Sequence, residues 1–182
     1  MKIAIFIDGA YLDKIAEPEF GVRIDYEKIS KELSLGKELL RTYYYHCEPY
    51  QSNPPTPEES ERFSRAQRFF SMLTKLPRFE VRLGKLQCIS GEFRQKGVDT
   101  LLSIDMVNLA ASGKISDAVL LAGDSDYIPA IKVIKDHGVN ITLFHSKNRG
   151  SYHSALWDIC DERFPIDLGL IEKIKRKPVS SA

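Results

Sequence analysis

Two short apolar segments, each with an aspartate within two residues of its end, constrain the fold of this chain more than any other feature. The first covers residues 3–7 and precedes Asp8; the second lies within residues 117–122 and precedes Gly123-Asp124. A strand without polar alternation is buried on both faces, as in a parallel sheet that is covered by helices. The two segments therefore predict an α/β fold.

Strand and helix patterns alternate along the rest of the chain. Strands are predicted at residues 2–7, 39–47, 79–89, 117–122 and 139–144. Helices are predicted at residues 11–16, 25–33, 57–76, 98–111, 127–137, 154–161 and 168–175. The helix that begins at Pro57 has the clearest start, because Thr56 and Glu59 form a capping box. The alternation predicts an open, mainly parallel sheet with helices on both faces.

Composition limits the possible classes of protein. The 182 residues suit one domain, and the net charge of +1 gives no overall attraction to nucleic acid. The three cysteines form no CxxC pair, which favours a reducing, cytoplasmic location over a disulfide framework or a zinc site. Because no apolar run approaches the roughly 20 residues of a membrane span, we expect no membrane association.

Aspartates follow both apolar strands, at the point where each strand ends. Asp8 follows the first strand, and Asp124 and Asp126 follow the second. Since the carboxyl ends of parallel strands form one ligand-binding edge, these carboxylates converge if their strands are neighbours. Clustered carboxylates repel one another, and a divalent cation removes that cost. The pattern predicts Mg²⁺ or Mn²⁺ bound by carboxylate oxygens.

Each acidic residue also has a purely structural interpretation. Asp8 precedes Gly9 and could simply begin a turn. Asp126 could be the N-cap of the following helix, which suits Pro129 in its first turn. Asp99 lies at the start of a predicted helix, where a negative charge is favourable in any case. Capping and metal ligation are compatible for Asp124 and Asp126.

Four segments in a fixed order carry a resemblance to a known family. They are Phe6-Ile7-Asp8-Gly9-Ala10-Tyr11-Leu12, Lys96-Gly97-Val98-Asp99, Leu102-Ser103-Ile104-Asp105-Met106 and Gly123-Asp124-Ser125-Asp126-Tyr127. These segments resemble the NYN domain family of PIN-like nucleases. The resemblance covers residues 1–167 and implies a PIN-like three-layer α/β/α sandwich, which leaves residues 168–182 as a C-terminal helical tail.

The resemblance also implies which residues form the site. The metal-binding and catalytic acids would be Asp8, Asp99, Asp124 and Asp126. Asp105 and Ser125 would support them, although Asp105 lies six residues after Asp99 and an ideal helix turns it away. The sequence departs from the family at Ala10 and Tyr11, where many relatives carry asparagine, and at Tyr127, where phenylalanine is commoner.

Three basic residues are candidates for holding the substrate. Lys96 precedes Gly97 near Asp99, and Lys147 and Arg149 follow the strand that ends at residue 144. Each could contact a phosphate, as sequence-independent binders of nucleic acid do. The alternative is that each is an ordinary solvated charge.

The function expected from this pattern is a metal-dependent endoribonuclease that hydrolyses RNA phosphodiester bonds. The alternative is a non-catalytic RNA-binding or regulatory module on the same fold. A phosphatase with an aspartate after its first strand is less favoured, because such enzymes need a second aspartate where this chain has Ala10. RNA is the expected partner, and a homodimer is an expectation by analogy only.

Overall fold

A seven-stranded sheet forms the centre of the molecule. The computed structural model describes residues 2–89 and 92–177, with side chains for residues 2–86 and 97–177. The strands are β1 Lys2–Asp8, β2 Glu38–Glu48, β3 Phe79–Ile89, β4 Glu92–Lys96, β5 Asp117–Leu121, β6 Asn140–Ser146 and β7 Glu162–Ile166. Their spatial order is β4-β3-β2-β1-β5-β6-β7.

Seven α-helices accompany the sheet within the described residues. They are α1 Gly9–Phe20, α2 Tyr26–Leu33, α3 Pro57–Leu73, α4 Val98–Ala111, α5 Ile128–Asp136, α6 Ser154–Ile159 and α7 Leu168–Ile174. Two short 3₁₀ turns occupy Ser125–Tyr127 and Arg149–Ser151. The capping box at the start of α3 is confirmed, because the Glu59 N–H donates to Thr56 Oγ1 (3.2 Å) and the Thr56 N–H donates to Glu59 Oε2 (3.0 Å).

The sheet is mainly parallel, as the sequence predicts. Strand β1 pairs in parallel with β2 on one side and with β5 on the other, and β3, β6 and β7 continue in the same direction. Strand β4 alone among the described strands is antiparallel, and it extends the edge next to β3. The strand order reverses direction at β1, so the space between β1 and β5 is the switch point of the sheet.

Helices cover both faces of the sheet and give it two separate cores. Alternate residues of β1 point to opposite faces: Ala4 and Phe6 pack with α4, α5 and α6, while Ile3, Ile5 and Ile7 pack with α1, α2, α3 and α7. All of these β1 side chains are buried, as expected for a central parallel strand. The prediction of an α/β/α sandwich is confirmed.

Two strands and one helix differ from the sequence expectation. The expected elements include neither β4 nor β7, and β7 has a mostly exposed pattern with Pro165 near its end. Proline cannot donate to a sheet ladder, so it is confined to edges, and the sheet ends at β7. Helix α1 is longer than the predicted 11–16, because Asp8 caps it at the start and it continues to Phe20 through Pro18.

The C-terminal helix packs onto the rest of the domain. Ile171 and Ile174 of α7 are buried in the same core as α2. The Asp25 N–H donates to the Ile174 carbonyl (2.8 Å), and the Arg176 N–H donates to the Arg23 carbonyl (2.7 Å). The helix predicted after residue 168 is present and contributes to the core. None of the helices in the described part of the chain has the length and apolar character needed to span a membrane.

Candidate active site

The carboxyl ends of β1 and β5 open into a cavity of about 770 Å³. Asp8 is the last residue of β1, and the turn after β5 carries Asp124 and Ser125. Asp99, from the first turn of α4, lines the same cavity. The structure thus brings together four of the six acids and supporting residues expected from the sequence, at the switch point of the sheet.

Asp8 is held in place by the start of the helix that follows it. It is the N-cap of α1, and the Tyr11 N–H donates to Asp8 Oδ1 (3.1 Å). Its backbone is extended, as an N-cap requires. The other oxygen, Oδ2, faces the Tyr127 hydroxyl (3.2 Å). Asp8 therefore caps a helix instead of beginning a turn, and the same side chain lines the cavity.

The Tyr127 hydroxyl lies between two carboxylates. Tyr127 is fully buried, and its hydroxyl is 2.8 Å from Asp99 Oδ1 as well as 3.2 Å from Asp8 Oδ2. A hydroxyl has one hydrogen, so it cannot fully satisfy both acceptors at once. The shorter distance favours donation to Asp99. Asp8 and Asp99 thus share one donor hydrogen, which cannot satisfy both carboxylates.

Burial sets the ionisation of this group. Desolvation is the largest influence on Asp8 and raises its pKa above the ordinary aspartate value, and the charge of Asp99 acts in the same direction. The Tyr11 N–H and the Tyr127 hydroxyl oppose that rise without cancelling it. Burial also raises the pKa of Tyr127, reinforced by the charges of Asp8 and Asp99, so Tyr127 stays a hydrogen-bond donor.

Two glycines allow the walls of the cavity to come close. A Cβ atom on Gly9 would lie 2.5 Å from the Tyr44 hydroxyl oxygen and 2.7 Å from His46 Cδ2. A Cβ atom on Gly123 would overlap the Tyr11 ring and lie 2.6 Å from the Ser151 carbonyl oxygen. Glycine at both positions is therefore a packing requirement of the segments that carry Asp8 and Asp124.

The two aspartates of the turn after β5, Asp124 and Asp126, lie in different environments. Asp124 is exposed at the cavity and caps the 3₁₀ turn, since the Asp126 N–H donates to Asp124 Oδ1 (3.1 Å). Asp126 is inside that turn, exposed, and is not among the residues that line the cavity. The alternative of Asp126 as N-cap of α5 is wrong, because that position is Tyr127. Its proposed role as a metal ligand stays a prediction that this arrangement does not support.

Asp105 lies away from the cavity. Its Oδ2 accepts a hydrogen bond from the Tyr45 hydroxyl (2.8 Å) and is 3.4 Å from Arg82 Nε. These contacts join α4 to β2 and β3 on the far side of β1. Asp105 lies six residues after Asp99, so the helix turns it away from Asp99. It therefore has a structural role and does not support the acids of the cavity.

Two of the three basic candidates, Lys147 and Arg149, are not among the residues that line the acidic cavity. Lys147 and Arg149 are exposed after β6, and Arg149 lines a neighbouring cavity. The side chain of Lys96 lies outside the described part of the structure. Lys14 of α1 lines the acidic cavity, together with Glu19, whose carboxylate accepts from Ser146 Oγ (2.7 Å).

The donor chemistry of the cavity fits a hard divalent cation. Mg²⁺ is usually bound by one or two carboxylates with waters or substrate phosphate completing its shell, and Asp8 and Asp99 provide two such carboxylates. A cation beside them would relieve the desolvation and repulsion that raise the pKa of Asp8. No group of three or more His, Cys, Asp or Glu side chains with metal-binding geometry occurs among the described residues. The fit therefore rests on this pair.

Some residues of the cavity were not recognised from the sequence. Tyr127 was noted only as a departure from the family, yet its hydroxyl contacts both acids. Lys14 lies on the α1 face that also carries Ala10 and Tyr11, so a helix capped by Asp8 could have predicted it from helical spacing. Tyr152 and His153 come from the loop after β6, and no local signal marks them.

Comparison with known proteins identifies the family of this chain. The family model described as the NYN domain matches residues 2–167. The chain belongs to the NYN domain family. This family has a nuclease-like fold, so the acidic cavity of this NYN domain lies on a framework associated with nucleases. The match ends just before α7, although α7 packs into the same core.

One protein sequence and one crystal structure are similar to this NYN domain. An uncharacterized protein of Sinorhizobium fredii is 34% identical over 90 residues, which are 49% of this chain and 42% of the relative. A crystal structure of a protein of unknown function from Vibrio parahaemolyticus superposes with a TM-score of 0.63. That similarity has 21% identity and covers 92% of this chain and 93% of the other, and it supports the fold alone.

Proposed function

We propose that this NYN domain is a metal-dependent endoribonuclease that hydrolyses RNA phosphodiester bonds in the cavity between β1 and β5. The observation that carries the proposal is the pair of carboxylates, Asp8 and Asp99, on either side of the Tyr127 hydroxyl. Bringing two carboxylates to one buried hydroxyl costs stability, so a functional role explains this arrangement better than a stabilising one.

Asp8 and Asp99 would hold the cation, Mg²⁺ or Mn²⁺, and Asp124 faces the same space. When bound, such a cation lowers the pKa of water and neutralises charge on phosphate oxygens, which is the chemistry that phosphodiester hydrolysis needs. Asp126 completes the set predicted from the family, although its side chain lies outside the cavity lining.

Other side chains of the cavity support phosphate binding and positioning. The Tyr127 hydroxyl donates to Asp99 and so fixes the orientation of that carboxylate. The Lys14 ammonium lines the cavity and can pair with a phosphate oxygen. Lys147 and Arg149 are exposed on the neighbouring loop, where they can contact phosphates farther along an RNA strand.

The test is cleavage of labelled single-stranded and structured RNA by the pure protein in Mg²⁺, Mn²⁺ or EDTA. We expect internal cleavage in either metal, no cleavage in EDTA, and loss of cleavage in Asp99→Asn and Asp124→Asn. Asp136→Asn is the matched control, because Asp136 is exposed at the end of α5 and outside the cavity. Cleavage that persists at full rate in Asp124→Asn would point to a contaminating nuclease and reject the proposal.

A non-catalytic RNA-binding module is the second candidate. One observation favours it: in the part of the chain that has described side chains, the acids form a pair rather than a set of three or more with metal-binding geometry. The same assay separates the two functions. Retention of RNA in a filter-binding measurement, with no cleavage in either metal, is the result expected of a binding module.

A further inference from the structure

A second cavity adjoins the acidic one at the carboxyl edge of the sheet. It has a volume of about 690 Å³ and is bounded by the loop after β6, by α6 and by Arg163 and Pro165 of β7. Tyr152 and His153 line both cavities. The His153 N–H donates to the Gly123 carbonyl (2.9 Å), which ties this shared wall to the turn that carries Asp124. The two cavities therefore share a wall.

The wall of the second cavity contains an indole stacked on a guanidinium. The Arg163 guanidinium carbon lies 4.3 Å from the centroid of the Trp157 ring. Arg163 is fixed there by hydrogen bonds to the carbonyls of Trp157 (2.5 Å) and Asp158 (3.0 Å). Trp157 nevertheless keeps 37% of its surface exposed. An exposed, braced aromatic ring is the kind of surface on which an unpaired base stacks.

The polar groups of this cavity suit the rest of a nucleotide. Arg149 and Arg163 are cations on its wall, and Asp158 is the one carboxylate among the residues that line it. The cations can pair with phosphate, and the carboxylate can accept from the amino group of a base. Mixed aromatic and cationic lining of this kind complements a nucleotide better than it complements an apolar peptide.

We propose that this second cavity binds one nucleotide of single-stranded RNA, next to the phosphodiester bond that lies in the acidic cavity. The base stacks on Trp157, and Arg149 contacts the adjoining phosphate. The inference rests on the proposed function, because the two cavities act as neighbouring subsites of one strand across Tyr152 and His153. It predicts that the domain selects unpaired RNA, since a base within a duplex cannot enter the cavity.

Trp157 is the single tryptophan of the chain, so its fluorescence reports directly on this cavity. The whole protein is titrated in EDTA with adenosine 5′-monophosphate and, separately, with ribose 5-phosphate. Free N-acetyltryptophanamide corrects for light absorbed by the base. We expect saturable quenching by the nucleotide and none by the sugar phosphate. Equal quenching by both compounds would indicate an anion site without base stacking. An absence of saturable quenching would indicate that the cavity binds no nucleotide. Either result overturns the proposal.

Variants separate stacking from charge. Trp157→Ala should weaken binding of a single-stranded oligoribonucleotide about tenfold, and Trp157→Phe should recover most of that loss, because stacking is worth about 1–3 kcal/mol per base. Arg149→Ala should weaken binding several-fold, whereas Arg65→Ala, an exposed arginine of α3 on the other helical layer, should not. Unchanged binding in both Trp157→Ala and Arg149→Ala would overturn the proposal even if one variant folds poorly.

The outcome is distinguishable from a failure of the proposed function. Binding in EDTA needs no cleavage, so nucleotide quenching without ribonuclease activity would leave this subsite standing and reject only the enzyme. Conversely, cleavage of single-stranded RNA by Trp157→Ala with the KM of the unaltered protein would keep the enzyme and reject the subsite. Equal rates on single-stranded and duplex RNA would also reject it.

Discussion

Asp8 and Asp117 lie at opposite ends of two neighbouring strands and are stabilised in opposite ways. Asp8 ends β1, and Asp117 begins β5, which pairs with β1 in parallel. Asp117 is buried and receives hydrogen bonds from Lys37 Nζ (2.8 Å) and Ser116 Oγ (2.7 Å). Asp8 receives one backbone N–H, shares a single hydroxyl with Asp99, and faces no cation at hydrogen-bonding distance among the described side chains.

The two environments shift the two carboxyl groups in opposite directions. Burial acts to raise the pKa of Asp117, but the hydrogen bonds from Lys37 and Ser116 outweigh it, and the pKa lies below the ordinary value. At Asp8, burial prevails and the pKa is raised. Neighbouring protein groups thus compensate the negative charge of Asp117. They compensate the charge of Asp8 only in part, as is common for carboxylates at functional sites.

The largest expected effect is on catalysis, and it tests whether Asp8 and Asp117 differ in role. Asp8→Asn should lower the rate of RNA cleavage by about a hundredfold or more, because the carboxylate charge that would hold the proposed cation is lost. Asp117→Asn should leave the rate per folded molecule unchanged. The measurement is cleavage of labelled RNA at saturating Mg²⁺, normalised to folded protein by circular dichroism. Equal losses in the two variants would show that the two aspartates do not differ in role.

The next effect is on stability at the structural end. Asp117→Asn should lower the free energy of unfolding by about 2 kcal/mol at neutral pH, since it removes charged hydrogen bonds from a buried group. The loss is smaller than for a fully buried pair because the Lys37 side chain is 45% exposed. Urea denaturation measures it. The difference should shrink as pH falls through the lowered pKa of Asp117, where the native protein loses the same charge.

Asp8→Asn should have the opposite effect on stability. Asparagine can still cap α1 through its side-chain oxygen, and it removes a desolvated charge, so the free energy of unfolding should rise by about 1 kcal/mol at neutral pH. A raised folded-state pKa means that the cost of Asp8 is complete above that pKa and absent below its unfolded pKa. The gain should therefore fade on acidification. Urea denaturation in EDTA over a pH series checks it, and a loss of stability at neutral pH would contradict the comparison.

The smallest expected effect tests the shared hydroxyl. Tyr127→Phe should lower the free energy of unfolding by about 0.5 kcal/mol in EDTA, because Asp8 and Asp99 lose their common donor. Excess Mg²⁺ should remove most of that difference, since a cation would replace the donor as the group that compensates the two charges. Thermal denaturation with and without Mg²⁺ provides the comparison. A difference that is the same in both conditions would indicate a packing effect of the hydroxyl alone.

The acidic edge was largely predictable, and its composition was not. Asp8 and Asp124 follow apolar strands, so the direction of a parallel sheet places them at one edge. Asp126 follows the same strand, but a 3₁₀ turn carries it out of the cavity lining. Whether a residue two positions farther on still points inward depends on the local turn, and strand periodicity says nothing about that turn.

The edge strands β4 and β7 were not predicted from the sequence. Strand β7 has exposed positions and a proline because one of its sides faces no other described strand, so its pattern resembles a loop. The buried strands β1 and β5 are unmistakable for the opposite reason. Burial on both faces leaves a continuous apolar run in the sequence, and exposure erases that run.

The sequence by itself determined the central strands, the capped helices and the edge at which the acids appear, because each depends on residues close together in the chain. Only the tertiary structure decided that β1 and β5 are neighbours, that Asp99 meets Asp8, and that the Tyr127 hydroxyl lies between them. Those contacts join residues that lie 28 to 119 positions apart in the chain. They arise from the packing of α4 and the turn after β5 against β1, for which local periodicity carries no information.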